Sequence, residues 1–264
     1  KGFYQMKCSR CQTNMHKNGT RDGLQRFKCG GCGYEKQERK KSLSSNVLCI
    51  SDLHFPYVHP KALRFCSDLY KEYKCDTVVF LGDLFDFSGM SLHVKNPDGK
   101  SSGDEVEEAK CVIKEWADEF PEAKVCWGNH ELRLQKRFKE AGIPDMFLPS
   151  LNNVFNLPNG WEWAFHHEID NVRYMHSNSS GMYLHARLPK NYMQSVVHAH
   201  THITGAIQFM STDNDLVFGM NCGCLIDTKS FAFEYAKNFD TRPVLGTGVV
   251  LDNGKIPMFI PMEL

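Results

Sequence analysis

Five short runs of β-branched, aromatic and other apolar residues constrain this chain more than any other feature. They are Val47-Leu48-Cys49-Ile50, Thr77-Val78-Val79-Phe80-Leu81, Lys124-Val125-Cys126-Trp127, Val172-Arg173-Tyr174-Met175 and Ser195-Val196-Val197. Runs of this length and composition read as buried strands. Each is followed by groups that bind metal ions: Asp52-x-His54, Gly82-Asp83, Gly128-Asn129-His130-Glu131, His176, and His200-Thr201-His202. In open α/β sheets the loops leaving the C-terminal strand ends converge on a rigid scaffold, and ligands collect there. The recurrence points to a two-metal hydrolytic centre acting on a phosphate ester.

The donor types support that reading. A carboxylate offers two oxygens and can bridge two cations, whereas an imidazole binds one metal through one nitrogen. Asp83 is the natural bridge. Mixed nitrogen and oxygen ligation suits manganese, iron, zinc or nickel better than calcium, and the residues do not choose among them.

Taken in order, these pieces resemble the signature of the calcineurin-like metallophosphoesterases, and the similarity runs from about Asn46 to the C-terminus. Ala199 stands where that family usually has glycine, a change the chain tolerates if the backbone there is not at positive φ. The resemblance implies an α/β fold of two stacked β-sheets flanked by helices. It also implies one cation held by Asp52, His54, Asp83 and His202, and a second by Asp83, Asn129, His176 and His200. His130 is implied to stay unligated, as a donor to the phosphate or an acid for the leaving oxygen. Two cations roughly 3.5–4 Å apart supply a nucleophile near neutral pH and neutralise charge on phosphate oxygens.

Other residues near these motifs have two readings. Asp86 is either a carboxylate orienting a ligand histidine or a turn residue. Arg133, in an expected helix Glu131 to Glu140, is a candidate phosphate contact, while Lys136, Arg137 and Lys139 read as a solvated basic face. His198 is expected to pack beneath the site, His166 and His167 to be structural, and Cys222 and Cys224 to be packing residues.

The second strong signal is Cys8-x2-Cys11, seventeen residues, then Cys29-x2-Cys32. Two paired knuckles at this spacing are what a four-thiolate structural zinc site requires. About forty residues bury too little core to fold unaided, so the metal is expected to stabilise the segment. With Lys17-Asn18-Gly19 and Gly23 to Cys29, it resembles the zinc ribbons at the N-termini of insertion-sequence transposases, which are associated with DNA binding. Ribbons also serve as protein contacts.

Charge partition bears on that choice. The 264 residues carry 31 basic and 31 acidic side chains. Residues 1–41 hold 11 of the basic and 3 of the acidic ones, a formal +8, which leaves −8 for the remainder. Basic residues interleaved with Phe3, Tyr4, Phe27 and Tyr34 suit nucleic-acid phosphates and unpaired bases, with Arg26 and Lys28 as candidate substrate contacts.

Two modules follow: a zinc ribbon over residues 1–41 and a phosphoesterase domain over 42–264, joined by the charged, serine-rich stretch Glu38 to Asn46, a linker that permits relative motion. Helical periodicity covers His59 to Lys74 and Asp104 to Phe120, the latter with Asp104 as cap. Ser88 to Gly103 reads as an exposed insertion or lid. No apolar stretch approaches the roughly 20 residues of a membrane span, no signal-peptide pattern is present, and eleven cysteines with four on zinc suggest a reducing, cytoplasmic setting.

The leading expectation is therefore a metal-dependent nuclease or phosphodiesterase whose ribbon holds DNA, or RNA, near the cleft. The alternatives are a phosphomonoesterase of the phosphoprotein-phosphatase type and a non-catalytic DNA-binding adaptor. Oligomeric state is open.

Overall fold

The four cysteines and the strands between them make a small unit of their own. β1 (Met15–Arg21), β2 (Leu24–Cys29) and β3 (Glu35–Gln37) form an antiparallel sheet in that order. The sulfurs of Cys8 and Cys32 lie 3.6 Å apart and those of Cys11 and Cys29 3.4 Å apart. A tetrahedral ion with metal–sulfur bonds of about 2.3 Å sets its thiolates about 3.8 Å apart, so the cluster fits such an ion. Backbone N–H groups of Gly31 and Cys32 point at the Cys29 sulfur, and the Thr13 hydroxyl beside Cys11 draws that thiol down to about 6. Among the described residues, Cys8, Met15 and Cys29, with Phe27 and Tyr34 against them, make up the unit's apolar core. So small a core is expected to need a bound ion to hold three strands. Cys29→Ser is accordingly expected to lower metal content by one ion per chain by elemental analysis, and to open the β1–β2 amides to fast hydrogen exchange.

The computed structural model describes residues 7–21, 24–37, 45–91, 99–181, 183–211, 213, 215–230 and 242–263. Phe3, Tyr4, linker residues 38–44 and the centre of the 88–103 insertion lie outside them. Beyond the ribbon, β4 (Val47–Ile50), β5 (Thr77–Phe80), β6 (Glu122–Cys126) and β7 (Gly160–Ala164) run parallel. A second sheet comprises β8 (His166–Ile169), β9 (Val172–His176), β10 (Ser195–Ala199), β11 (Gly205–Ser211) and β12 (Leu216–Cys222), in the order β11-β12-β10-β9-β8. β13 (Gly246–Leu251) joins the first sheet antiparallel to β4, and β14 (Ile256–Pro261) follows, giving β14-β13-β4-β5-β6-β7.

Strand alternation sorts the apolar residues into two layers. Leu48, Ile50, Val78, Phe80 and Val125 face outward onto α1 (Ala62–Glu72) and α2 (Ser102–Glu119), meeting Cys66, Leu69, Ile113 and Trp116. Val47, Cys49, Val79, Leu81 and Cys126 face inward and pack on Val172, Tyr174, Val197, Phe218 and Met220 of the second sheet. Two stacked sheets flanked by helices result. α3 (Glu131–Glu140) and α4 (Leu151–Phe155) follow β6, and α5 (Leu184–Tyr192) covers the second sheet through Leu184 and Leu188. Fully burying one such Leu, Val or Phe stabilises by about 1.5–3 kcal/mol, so the two apolar layers hold the stacked sheets together.

Three local readings change. The α2 cap is Ser101, whose hydroxyl accepts from the Asp104 N–H at 3.1 Å and donates to the Asp104 carboxylate at 2.7 Å. β7 and α5 were not foreseen. The aromatic run of β7 lacks the apolar continuity of a central strand, because the strand lies at the sheet edge, and α5 carries Pro189 within it. Among the described residues no helix is long and apolar enough to cross a membrane, and all eleven cysteines are unbridged.

The four-cysteine unit rests on the larger unit at a defined place. The Gly160 N–H donates to the Ser9 carbonyl at 3.1 Å, Arg10 pairs with Asp118 at 3.3 Å, and Lys36 pairs with Glu122. Glu122 and Gly160 begin β6 and β7, and Asp118 is at the C-terminal end of α2. The ribbon therefore sits at the N-terminal ends of these strands, the opposite edge from the metal-binding motifs.

Candidate metal centre

Strand direction carries the motif residues to one place. Asp52 and His54 follow β4, Asp83 follows β5, Asn129 and His130 lie between β6 and α3, His176 ends β9, and His200 and His202 follow β10. Four of these residues have left-handed backbones, with φ of 48° at Asp52, 51° at His54, 48° at Asp83 and 100° at His200. Such conformations cost of order 1–3 kcal/mol each for residues with a side chain and persist where the surroundings enforce them. Ala199, within β10, is not among the positive-φ residues, so the methyl in place of glycine carries no backbone penalty.

Two groups of ligating atoms emerge. In one, His202 Nε2 lies 3.1 Å from Asp52 Oδ1 and 3.3 Å from His54 Nε2. In the other, His176 Nε2 lies 3.3 Å from Asp83 Oδ2, 2.9 Å from Asn129 Oδ1 and 3.2 Å from His200 Nδ1. Asp52, His54, Asp83 and His176 are almost fully buried. All seven residues singled out as ligands from the sequence thus lie in these two clusters.

The surroundings orient the donors. His54 Nδ1 donates to Asp86 Oδ1 at 2.8 Å, and His176 Nδ1 donates to the Leu81 carbonyl at 3.0 Å. Each ring therefore spends one N–H on an acceptor and turns Nε2 inward, which is how metal-binding histidines are commonly aimed. Of the two readings of Asp86, the orienting carboxylate is the one the geometry carries. Asp86→Ala is expected to weaken divalent-metal affinity or turnover about 10- to 100-fold, with partial recovery in Asp86→Asn, as followed by metal titration of activity.

Electrostatics supply the test of fit. Burial alone would raise Asp83, yet His130 and His176 hold it well below the usual carboxylate range, and His202 likewise keeps Asp52 low against its burial. Burial would lower His176, but the Asp83 carboxylate pushes it up to about 9. The two carboxylates are thus held ionised against their burial by positive charge placed between them. A set of two buried carboxylates, an amide oxygen and four imidazoles fits divalent transition metals.

Glycines permit the close approach. Gly82 has φ +95°, and a Cβ there would sit 2.9 Å from the Gly128 nitrogen and from His176 Cβ; a Cβ on Gly128 would sit 2.2 Å from Asp83 Oδ1. Glu131 ties these turns together from behind, its buried carboxylate accepting the N–H groups of Gly128 at 2.9 Å, Asp83 at 3.1 Å and Phe85 at 3.0 Å. Burial, then the charge of Asp83, pushes Glu131 up to about 7. Its role was not read from the sequence, where Gly-Asn-His-Glu marks a motif but not the direction in which the last side chain turns. Asn221 was also missed as a supporting residue. Its side chain donates to the Thr201 hydroxyl at 2.6 Å and accepts from the Gly223 N–H at 3.0 Å, bracing the turn between His200 and His202.

The remaining candidates fall into place around the centre. His130 Nδ1 donates to the Asp86 carbonyl at 2.7 Å and its Nε2 accepts from Arg133 at 2.8 Å, 3.7 Å from Asp83 Oδ2. Arg133 also bonds the Asp86 carbonyl, so it is engaged at the rim instead of extended toward solvent. Arg137, expected on a solvated face, is clamped to the carbonyls of Met90 and Ser91. His198 is fully buried and belongs to neither ligand group. His167 donates to the Val125 carbonyl, while His166 lies in β8 at the surface, and Cys222 and Cys224 are buried. Arg26 and Lys28 are far from this centre, on the ribbon, where both pair with Glu35.

The sequence pattern described as calcineurin-like phosphoesterase matches residues 45–214. No curated protein matches the chain. Similar solved structures include a metallophosphoesterase from Sphaerobacter thermophilus, 15% identical over 83% of this chain and 88% of that one, with a TM-score of 0.41. They also include the Pseudomonas putida nuclease MPE, 11% identical over 82% and 87% with a TM-score of 0.34. A third is the Vps29 single mutant (D62A) of Entamoeba histolytica, 13% identical over 83% and 99% with a TM-score of 0.35. With the profile spanning well over half its residues, the chain belongs to the calcineurin-like phosphoesterase family.

Proposed function

We propose that this protein is a two-metal phosphodiesterase that cleaves nucleic acid, DNA in the first instance. The observation that carries the reading is the gathering of seven intact ligand groups, Asp83 among them, into two adjoining clusters, in a chain whose other unit is strongly basic. Asp52, His54, Asp83 and His202 would hold one cation, and Asp83, Asn129, His176 and His200 the other. When bound, the pair supplies a nucleophile near neutral pH and neutralises charge on the phosphate oxygens.

The chain's own groups then position the ester. His130 stands at the rim with Nε2 facing the cluster, and Arg133 holds that nitrogen. A phosphate arriving there can take the Arg133 donors in place of His130, which frees Nε2 to take up a proton from solvent and then donate it to the leaving oxygen. Asp86 holds the His54 ring and takes the His130 N–H on its carbonyl, so one residue fixes the spacing between a ligand and the group that meets substrate. The Gly-Asn-His-Glu spelling does not favour phosphomonoesters, because Glu131 is a buried clamp on the backbone and does not reach the cleft. The four cysteines would hold a structural zinc.

The test is hydrolysis, with manganese, zinc, iron or nickel supplied in turn, of bis-p-nitrophenyl phosphate, p-nitrophenyl phosphate, and labelled single- and double-stranded DNA and RNA. Diester and polynucleotide cleavage is expected. Turnover of the monoester or of a phosphopeptide with no diester cleavage would replace this reading with the phosphatase, and retention of a single ion per chain after metal reloading would replace it with the adaptor.

A further inference from the structure

The ribbon is docked at the N-terminal edge of β6 and β7, while the ligand groups stand beyond their C-terminal edge. β6 begins at Glu122, which Lys36 of the ribbon contacts, and the same segment reaches the cluster at Asn129. Seven residues at about 3.3 Å each put roughly 20 Å between the two points.

Part of the unit's charge is arranged away from the contact, whereas Lys17, paired across β1–β2 with Phe27, shares the Lys36 face and is exposed there. Cross-strand register pairs His16 with Lys28 and Lys28 with Glu35, so these side chains and Arg26 share one sheet face, while Lys36 projects from the other toward Glu122. Arg10 and Lys36 are used in docking. His16, Lys17, Arg21 and Lys28 are exposed along the β1–β2 hairpin, and β3 lies between that hairpin and the larger unit. Glu35 is the one acidic residue among the described ribbon residues.

Resting on the nuclease reading above, we propose that the β1–β2 hairpin is a backbone anchor for single-stranded nucleic acid that acts at a distance from the metal centre. Because the hairpin lies beyond β3 from that contact, a strand joining it to the cleft spans roughly 20 Å or more, about six or more stacked nucleotides at 3.4 Å each. The hairpin therefore grips the substrate several nucleotides from the bond being cleaved. It adds affinity to long strands and none to strands too short to reach both places, because only the former bind twice on one molecule.

Equilibrium binding of labelled, cleavage-resistant phosphorothioate DNA of about 4 and about 30 nucleotides to the full metal-loaded chain tests the distance. The longer strand is expected to bind at least about tenfold tighter per site. The combined change Lys17→Glu, Arg21→Glu and Lys28→Glu should abolish that advantage and flatten the salt dependence of long-strand binding by about two units of slope. Should charge reversal displace the cysteine-site metal, the neutral set Lys17→Gln, Arg21→Gln and Lys28→Gln takes its place. Equal affinity at both lengths, or a length advantage that survives both sets, overturns the anchor. Length-dependent binding without cleavage under any metal would instead sink the nuclease reading and leave the anchor standing.

Discussion

Asp83→Asn is expected to reduce phosphoester hydrolysis by about a thousandfold or more, a loss of about 4 kcal/mol of transition-state stabilisation. Asp83 is the residue that the proposed ligand assignment shares between the two cations. Oδ2 lies 3.3 Å from His176 Nε2, and Oδ1 accepts the His130 N–H at 2.9 Å. An amide has one oxygen. If that oxygen keeps the His130 N–H, the NH2 group points at the cations, and if it turns to the cations, the NH2 faces a backbone N–H. Either way the bridge between the two sites is lost and a buried donor is misplaced. The variant is expected to lose at least one divalent ion per chain by elemental analysis while keeping its ribbon metal and its circular dichroism. Full turnover by a folded Asp83→Asn protein would show that the centre lies elsewhere.

Glu131→Ala is expected to be the most destabilising single change in the motif loops, by about 3–5 kcal/mol, read as a shift in the denaturant midpoint at unchanged slope. Its carboxylate accepts three backbone N–H groups in a place almost closed to solvent. Truncation orphans all three at once, and no neighbouring side chain can replace them in the space that Gly82 and Gly128 leave. Activity should fall with stability, because the Asp83 turn and the Asn129 turn lose their common tie. Glu131→Gln retains the volume but sets an NH2 group against at least one of those donors, and an intermediate loss is expected. A Glu131→Ala protein as stable as the parent would mean that these turns are held by their strands alone.

The contrast between Asp83 and Glu131 shows how much of the centre could be read without coordinates. Asp83 was legible because its chemistry and its place after an apolar run point the same way. Glu131 was not, since its function lies in the backbone groups it meets, two of which are more than forty positions earlier in the chain. Asp86 had two readings until the His54 ring was seen beside it. Arg133 was legible as a cation near the site, yet its actual partners, the Asp86 carbonyl and His130 Nε2, depend on how α3 leaves the sheet. The α2 cap moved to Ser101 because a short hydroxyl and an acidic residue three positions apart both suit a helix start, and only backbone direction decides which is the cap.

From its residues alone, this chain determined the five strands that end in the metal-binding motifs, the ligand chemistry at those ends and the gathering of four cysteines into one cluster, because strand burial and metal preference follow from residue type and short-range spacing; the stacked-sheet class came from the family resemblance of those motifs. The tertiary structure decided which nitrogen of each histidine turns inward, which carboxylate orients and which clamps, and that the basic ribbon sits behind the sheet, roughly 20 Å from the cleft. Those outcomes depend on contacts between segments far apart in sequence, whose geometry no local pattern encodes.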